Sequence, residues 1–260
     1  MIPPLLHFIW IKGREFGYRE FLCLKSALKN TPYQVVLHTN LEPGEAGLYC
    51  PFTLSHPRLT LSRHIFTLIY RGIDIRPATL SDILRIQILQ EQGGIYSDMD
   101  MLWLKPFPIP LDTPHLVASW ENQSYKIATN CILASEKGFD FSSLLKEYDA
   151  IFDKLQEKRV QSINGDTLKE HLTLFKATSK FLQTHADVLL KRAHFGKNTW
   201  KTIWKFLTNQ VPEEKIVLDG ITAIHLCGCG LFGQHRINTS ELLTKHKKLH
   251  AICQSILNEN

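Results

Sequence analysis

The sequence predicts an α/β domain built on a mixed sheet flanked by helices, and three observations carry that prediction. The chain opens strand, helix, strand, with an apolar run at 5–11, an amphipathic stretch at 17–30 and a second apolar run at 33–39. A strongly helical segment at 79–92 passes through Gly93-Gly94 directly into another apolar run. Two further strand-like runs, at 115–120 and 127–134, follow before the chain turns helical. Alternation of this kind implies parallel strands joined by right-handed crossovers. The 260 residues, 44% hydrophobic and 21% charged, have an ordinary globular composition, enough for one sizeable core.

Taken in order, "LLHFIWI" (5–11) is short, apolar and aromatic, and Lys12-Gly13 ends it, as suits a buried first strand. Phe21, Leu22, Leu24 and Leu28 lie at helical spacing within 17–30, and Thr31-Pro32 closes that helix. "YQVVLHT" (33–39) is the second strand. A loop with Pro and Gly spans 43–57, and a helix is expected around 61–70. In "TLSDILRIQILQEQ" (79–92), Thr79 and Asp82 have the spacing of a capping box, although the usual acid there is Glu, and Gly93-Gly94 supplies the stop. The next strand runs to Pro106, Pro108 and Pro110. Residues 138–207 read as a helical insertion or subdomain within a single domain spanning 1–260. "KIVLDGITAIHLCG" (215–228) returns to the sheet, and a basic helix at 240–256 follows.

Charge and cysteine usage narrow the partners only coarsely. A net charge of +5 favours anionic ligands without naming one, and no nucleic-acid partner is expected. Six cysteines at 23, 50, 131, 227, 229 and 253 form no CxxC pair or disulfide framework and read as reduced thiols in a cytosol-like compartment. Cys227 and Cys229 lack the second ligand pair of a zinc site. The start "MIPPLLHFIWIKG" has neither a basic leading region nor a cleavage site, so a cytoplasmic protein is expected, at the inner face of a membrane or secreted as alternatives. There is no HExxH, GxSxG or Walker A sequence.

The chemistry concentrates in "GGIYSDMDMLWLKPF" (93–107), where Asp98 and Asp100 interrupt an apolar run. On a strand, residues two apart share a face, so both carboxylates aim together and Met99 and Met101 pack on the other side. Carboxylates that close repel unless a cation lies between them or one is protonated. Mg²⁺ or Mn²⁺ resolves the repulsion, and both commonly complete their shells with substrate phosphates. A strand-end Asp-x-Asp thus suits a metal-bound diphosphate beyond the carboxyl ends of an open α/β sheet. The bland alternative is a turn or a solvated strand end. An EF-hand is disfavoured because Met101-Leu102-Trp103 stands where a Gly and further oxygen ligands are needed. Asp82 and Arg85, three apart on one helical face, are brought back to this segment by Gly93-Gly94, unless they are merely a helix cap and an exposed ion pair.

"SDILRIQILQEQGGIYSDMDMLWLKPF" (81–107) resembles the DXD sugar-binding region of the glycosyltransferase family that includes yeast initiating mannosyltransferases, bacterial capsule and lipooligosaccharide glycosyltransferases and, more distantly, the glucosylating domains of large clostridial toxins. "IPPLLHFIWIKG" (2–13) resembles the family's first strand, with a looser echo at "ATNCILASEKGFDF" (128–141). The resemblance implies a GT-A type, Rossmann-like mixed sheet, a nucleotide-sugar donor (UDP- or GDP-sugar), Mn²⁺ or Mg²⁺, and transfer of a hexose with retention. By motif position, Trp10 is similar to the aromatic that stacks on the donor base, and base stacking of this kind is worth about 1–3 kcal/mol. Asp82 looks like the acid holding donor hydroxyls and Arg85 like the basic donor contact. Tyr96 occupies the aromatic position before the metal segment. Asp98 resembles the residue contacting ribose, sugar and metal, and Asp100 the direct metal ligand. Asn130 resembles the asparagine facing the transferred sugar, and His225 the late histidine of the metal site, although "CGCGLF" replaces the Ser-Trp that often follows. Read without the family, Trp10 is a core tryptophan, Asn130 a buried hydrogen-bonding residue and His225 a core histidine.

The acceptor is expected to be a glycan, a lipid-linked saccharide or a protein. The basic, aromatic stretch 189–207 suggests peripheral membrane contact, or a packed helix with a solvated lysine face. Two alternatives remain: a secreted effector glycosylating a host protein, and a metal-dependent nucleotidyl or phosphoryl transferase. The second usually brings a Lys or a Gly-rich phosphate cradle near its acids, whereas Gly93-Gly94 lies at the wrong end of a helix for one.

Overall fold

A computed structural model describes residues 1–12, 16–42, 49–112, 114–122, 127–161, 168–190, 221–226 and 247–258. Its centre is a seven-stranded sheet assembled from β1 (Leu5–Trp10), β2 (Gln34–Thr39), β3 (Leu59–Arg63), β6 (Gly94–Ser97), β8 (Leu116–Asn122), β9 (Ile127–Ser135) and β10 (Val188–Leu190). The spatial order is β10-β8-β9-β6-β1-β2-β3, and only β9 runs against its neighbours. β4 (Ile69–Tyr70) and β5 (Ile73–Asp74) form a small hairpin, and β7 (Met101–Trp103) pairs with β11 (Ala223–His225) in a separate two-stranded sheet.

Alternation along the central strands fills two cores. Leu6, Phe8 and Trp10 of β1 and Val35 and Leu37 of β2 pack beneath α1 (Tyr18–Asn30), with Met101 and Trp103. Ile9, Tyr96 and Leu133 face the other way, onto α2 (Pro77–Gln92), α3 (Ser142–Gln161) and α4 (Leu168–His185). A third cluster joins the outer face of α1 to Leu102, Ile224, Leu226 and α5 (Lys247–Leu257). Lys25 and Lys29 of α1 donate to the terminal carbonyls of α5 at Leu257 (3.2 Å) and Asn258 (2.9 Å), placing cations at the negative end of its dipole.

The junction from α2 to β6 depends on its two glycines. Gly93 has φ 67° and Gly94 φ 98°. A Cβ on Gly93 would come within 2.5 Å of the Lys137 nitrogen, and one on Gly94 within 2.8 Å of the Leu5 carbonyl oxygen. No side chain fits there, so the helix can be delivered straight into the sheet.

Several expectations are corrected. Residues 61–70 form no helix: β3 and β4 share them, since Leu59–Arg63 adds a parallel edge to β2. There is no capping box, because Arg76 is the N-cap, Pro77 opens the helix and both Thr79 and Asp82 are buried inside it. Within the expected helical stretch 138–207, Val188–Leu190 instead pairs with β8 at the sheet edge, and the rest of the basic, aromatic stretch lies outside the described residues. Of the expected strand 215–228, Ala223–His225 pairs with β7 rather than with the central sheet, and 215–220 and 227–228 lie outside the described residues. Cys23, Cys50, Cys131 and Cys253 are buried free thiols, while Cys227 and Cys229 are outside the described residues. Among the described residues, no helix is long and apolar enough to cross a membrane.

One buried feature was not anticipated. His7, His38 and His64 form a chain across β1, β2 and the end of β3, with His7 Nε2 2.9 Å from the Gly93 carbonyl, His7 Nδ1 3.1 Å from His38 Nε2 and His38 Nδ1 3.0 Å from His64 Nε2. The carbonyl can only accept, so a neutral His7 carries its proton on Nε2, which makes Nδ1 an acceptor for His38 Nε2–H; the same logic passes to His64. Burial lowers His7 to about 4 and His38 to about 3, the second helped by its histidine neighbours, and the Gly93 bond opposes the shift at His7. Both folded values lie below the unfolded one, so the unfolded chain binds more protons as the pH falls from 6.5 towards 4. Stability is therefore full above about pH 6.5 and falls with acidification by up to about 1.4 kcal/mol per pH unit for each histidine. Thermal melting should show a drop between pH 7 and 5 that His38→Gln makes shallower; a slope identical in both proteins would contradict a neutral buried chain.

Candidate active site

The site lies at the carboxyl ends of β1 and β6. Register pairs Leu6 with Ile95 and His7 with Tyr96, so the end of β1 at Trp10 comes level with the segment that follows Ser97. Asp98 is the last residue tied to the central sheet, its N–H donating to the Cys131 carbonyl at 2.8 Å. A turn closed by Met101 N–H to the Asp98 carbonyl, 3.1 Å, then carries Met99 and Asp100 into β7. The two aspartates therefore occupy a turn between two sheets rather than one strand. Asp at the first position of such a turn is a common choice, and the apolar residues on both sides disguise it as a continuous strand. Met99 and Met101 do pack into the core beneath α1.

The turn brings the carboxylates together with a third group. Asp98, Asp100 and His225 offer ligand atoms that all lie within 4.8 Å of one another. His225, on β11, pairs with Met101 of β7, and its Nε2 is 3.2 Å from Asp100 Oδ1. Leu226 N–H donates to the Asp100 carbonyl at 2.8 Å, fixing the two strands at that level. Two carboxylates and one imidazole, all part-exposed, match the donor chemistry of Mn²⁺ or Mg²⁺, with the nitrogen favouring Mn²⁺. Burial and the Asp100 charge raise the Asp98 carboxyl against the pull of Arg85. At Asp100, burial pushes the same way, but the His225 hydrogen bond and the positive charges of His225 and Arg19 outweigh it and hold the carboxyl low.

Behind Asp98 lies a buried ion network. Arg85 Nη2 is 2.9 Å from Asp82 Oδ1, and its Nη1 is 3.1 Å from Asp98 Oδ1. Nη1 also donates to the Asn130 carbonyl at 2.8 Å and Nε to the Ser81 carbonyl at 3.2 Å. The guanidinium sits 4.4 Å above the Tyr96 ring, whose hydroxyl donates to Asp98 Oδ1 at 2.8 Å. Asn130 Nδ2 donates to Asp82 Oδ1 at 3.0 Å. Burial opposes the Arg85 charge, and Asp98, Tyr96 and Asp82 together hold it above the ordinary arginine range.

The eight residues singled out from the sequence thus separate into three groups. Asp98, Asp100 and His225 converge at the part-exposed end. Asp82, Arg85, Tyr96 and Asn130 form the buried support beneath Asp98, with Tyr96 at 1% and Arg85 at 5% exposure. Trp10 is a core residue at 6% exposure, edge-on to Phe16 with ring centroids 5.3 Å apart. Sequence reasoning missed Ser81, whose carbonyl accepts from Arg85, and Arg19, whose charge acts on Asp100. Neither carried a sequence signal, since a serine and an exposed-looking arginine are unremarkable on amphipathic helices.

Comparison with known proteins agrees with this geometry. Residues 18–125 match the family described as "Glycosyltransferase sugar-binding region containing DXD motif", a segment that holds Asp82, Arg85, Tyr96, Asp98 and Asp100. Over 120 residues, 41% of this chain, the sequence is 32% identical to "Glucan organizing enzyme 1" of Cryptococcus neoformans var. grubii, and it spans 31% of that relative's length. The glycosyltransferase GlyE of Streptococcus pneumoniae TIGR4 aligns with 99% of this chain and 64% of its own, at TM-score 0.55 and 12% identity. The PaToxG glycosyltransferase aligns with 96% of this chain and 87% of its own, at TM-score 0.46 and 16% identity. Residues 81–107, expected to resemble a DXD sugar-binding region, lie inside the segment that matches that family's model, and the fold is a GT-A type mixed sheet.

The network makes Arg85 the residue whose loss is felt most. Arg85→Met leaves Asp82 and Asp98 without their shared counter-charge, and removing one partner of a buried ion pair costs about 3–5 kcal/mol. Urea denaturation should read that loss, and Arg85→Lys should not restore it, because an ammonium cannot replace a planar fork with four neighbours. A loss below about 1 kcal/mol, the value of an exposed pair, would show the network to be dispensable.

Proposed function

We propose that this protein is a metal-dependent, retaining glycosyltransferase that moves a hexose from a UDP- or GDP-sugar to a glycan or lipid-linked saccharide. The observation that carries the reading is the convergence of Asp98 and Asp100, which lie inside the segment that matches a DXD sugar-binding region, with His225 from β11 at the carboxyl end of the central sheet. Asp98, Asp100 and His225 would hold Mn²⁺ or Mg²⁺, which when bound stabilises charge on the departing diphosphate oxygens. The remaining contribution is positional. Arg85 and the Tyr96 hydroxyl both grip Asp98 Oδ1, which fixes one carboxylate of the pair, and His225 Nε2 holds the other, whose residue is anchored by Leu226 N–H at its backbone carbonyl. Preorganised groups of this kind need no rearrangement as charge develops.

Donor hydroxyls are the natural partners of Asp82 and Asn130, which already share a hydrogen bond at the inner wall of the site. Nucleotidyl transfer is disfavoured because the described site holds no Gly-rich phosphate cradle beside the acids: Gly93 caps a helix C-terminus, accepting His7 at its carbonyl.

Incubation with Mn²⁺ and a panel of UDP- and GDP-sugars should release nucleoside diphosphate from one donor. Asp98→Ala and Asp100→Ala should each lose most turnover while remaining folded; Asp100→Ala should melt like the parent, because it removes one carboxylate of a repulsive pair, whereas Asp98→Ala should melt lower, because Arg85 loses a buried partner. Silence with every donor and no nucleotide binding overturns glycosyl transfer, and pyrophosphate release from nucleoside triphosphates would replace it with nucleotidyl transfer.

A further inference from the structure

Ser97 and Trp103 bracket the turn that carries Asp98 and Asp100 without contributing a ligand atom. Ser97 ends β6 and Trp103 ends β7, and both are fully buried. The Trp103 indole Nε1–H reaches back across the turn and donates to Ser97 Oγ at 3.1 Å. The Ser97 hydroxyl extends the link by donating to the Asp98 carbonyl at 3.2 Å, where Met101 N–H also donates at 3.1 Å. Both lone pairs of that carbonyl are therefore used, one by the main chain and one by a side-chain clasp. The turn is closed twice.

Trp103 is also the point at which α1 grips β7. Its N–H donates to Ser26 Oγ at 2.9 Å and its carbonyl accepts from Asn30 Nδ2 at 2.8 Å. Ser26 itself donates to the Cys23 carbonyl at 2.7 Å, which turns its oxygen towards the incoming N–H. The next residue, Leu104, points its N–H the other way, to the Thr222 carbonyl at 2.8 Å. β7 is thus held by the β11 segment along one edge and by α1 along the other, as the alternation of strand N–H groups requires. The indole bond then ties this smaller unit to the end of β6, on the central sheet's side of the turn.

What the clasp governs is distance. Asp98 is tied to the central sheet and Asp100 to the β7–β11 pair, so the gap between their carboxylates depends on how far the two units can part. A small ion such as Mg²⁺ sets neighbouring oxygen ligands about 3 Å apart, and Ca²⁺ sets them about 0.5 Å further. A site free to widen accepts either ion, whereas one pinned narrow favours the smaller. We propose that Ser97 and Trp103 are positioning residues that pin Asp98 close to Asp100 and so make the site selective for a small divalent ion over Ca²⁺. This rests on the metal-dependent reading given above, and both residues act through the aspartates without touching the ion.

The test is Mn²⁺ affinity read by electron paramagnetic resonance, with Ca²⁺ affinity obtained by displacing the bound Mn²⁺. It compares the parent chain with Ser97→Ala, which deletes the shared hydroxyl, Trp103→Phe, which deletes the indole N–H but keeps a ring, and the double variant. Each single variant should bind Mn²⁺ about tenfold more weakly, the size of a lost buried hydrogen bond, and hold Ca²⁺ within about threefold of the parent. His225 favours Mn²⁺ equally in every variant, so the change in the ratio reports spacing. Both substitutions break one bond, so the double variant should lose little beyond either single. It also leaves no buried donor of the clasp without a partner, and serves where a single variant does not fold. An unchanged ratio of Mn²⁺ to Ca²⁺ affinity overturns the proposal, a parallel loss of both ions included, since that would make the clasp a general prop. Losses that simply add in the double variant overturn it too. A parent chain that binds no Mn²⁺ overturns the metal-dependent reading first, and this proposal with it.

Discussion

Arg85 is a cation buried among Asp82, Asp98, Tyr96 and two backbone carbonyls, and the placement of the whole site follows from keeping it satisfied. An arginine at 5% exposure is tolerable only when its donors are matched. Here the matching groups come from four places: Ser81 and Asp82 on its own helix, Tyr96 on β6, Asp98 beyond it and the Asn130 carbonyl on β9. Satisfying one side chain therefore locks α2 to two adjacent strands and sets Asp98 at the sheet end. The cost of burying charge becomes a constraint on geometry.

That constraint could not act without the glycine pair that precedes it. Gly93 and Gly94 take backbone conformations with no room for a Cβ, and they turn α2 into β6 within two residues. A longer connection would let the helix slide along the sheet and break the register between Arg85 and Asp98. His7 adds a second tie at the same point, because its Nε2 meets the Gly93 carbonyl at 2.9 Å. The histidine chain and the ion network thus secure opposite ends of one helix-to-strand unit.

Much of this architecture was legible in the sequence because it rests on local signals. The apolar runs at 5–11, 33–39, 115–120 and 127–134 gave strands, and Gly93-Gly94 ended the helix where expected. The misreadings share a cause: in each, tertiary context overrode a local pattern. The helix expected around 61–70 is replaced by the end of β3, which completes a parallel edge beside β2, and by β4. Thr79 and Asp82 imitate a cap because capping and active-site chemistry use the same residue types, and burial alone tells them apart. The Asp98–Asp100 turn reads as a strand because alternation continues through it, although the hydrogen bonds pass from β9 to β11 midway. Residue identity at the site was readable, but not which residues are exposed, since Tyr96 and Arg85 have the chemistry of ligand contacts and the burial of supports.

The turn has a consequence that a single strand would not. Asp98 belongs to the central sheet through Cys131 and Arg85, whereas Asp100 and His225 belong to the β7–β11 pair, which is backed by α1 and α5. The three ligand atoms are thus contributed by two substructures that meet at the Met99-Asp100 step. Among the described side chains at that step, mutual repulsion of the carboxylates works to separate the two halves, opposed by Arg85 on one side and His225 with Arg19 on the other. A divalent ion bound there reverses the sign of the interaction and joins the central sheet to the smaller one. Under the proposed metal binding, the hold of α1 and α5 on β7 and β11 would count as well as the carboxylates themselves, and α1 already acts on the site through the charge of Arg19 on Asp100.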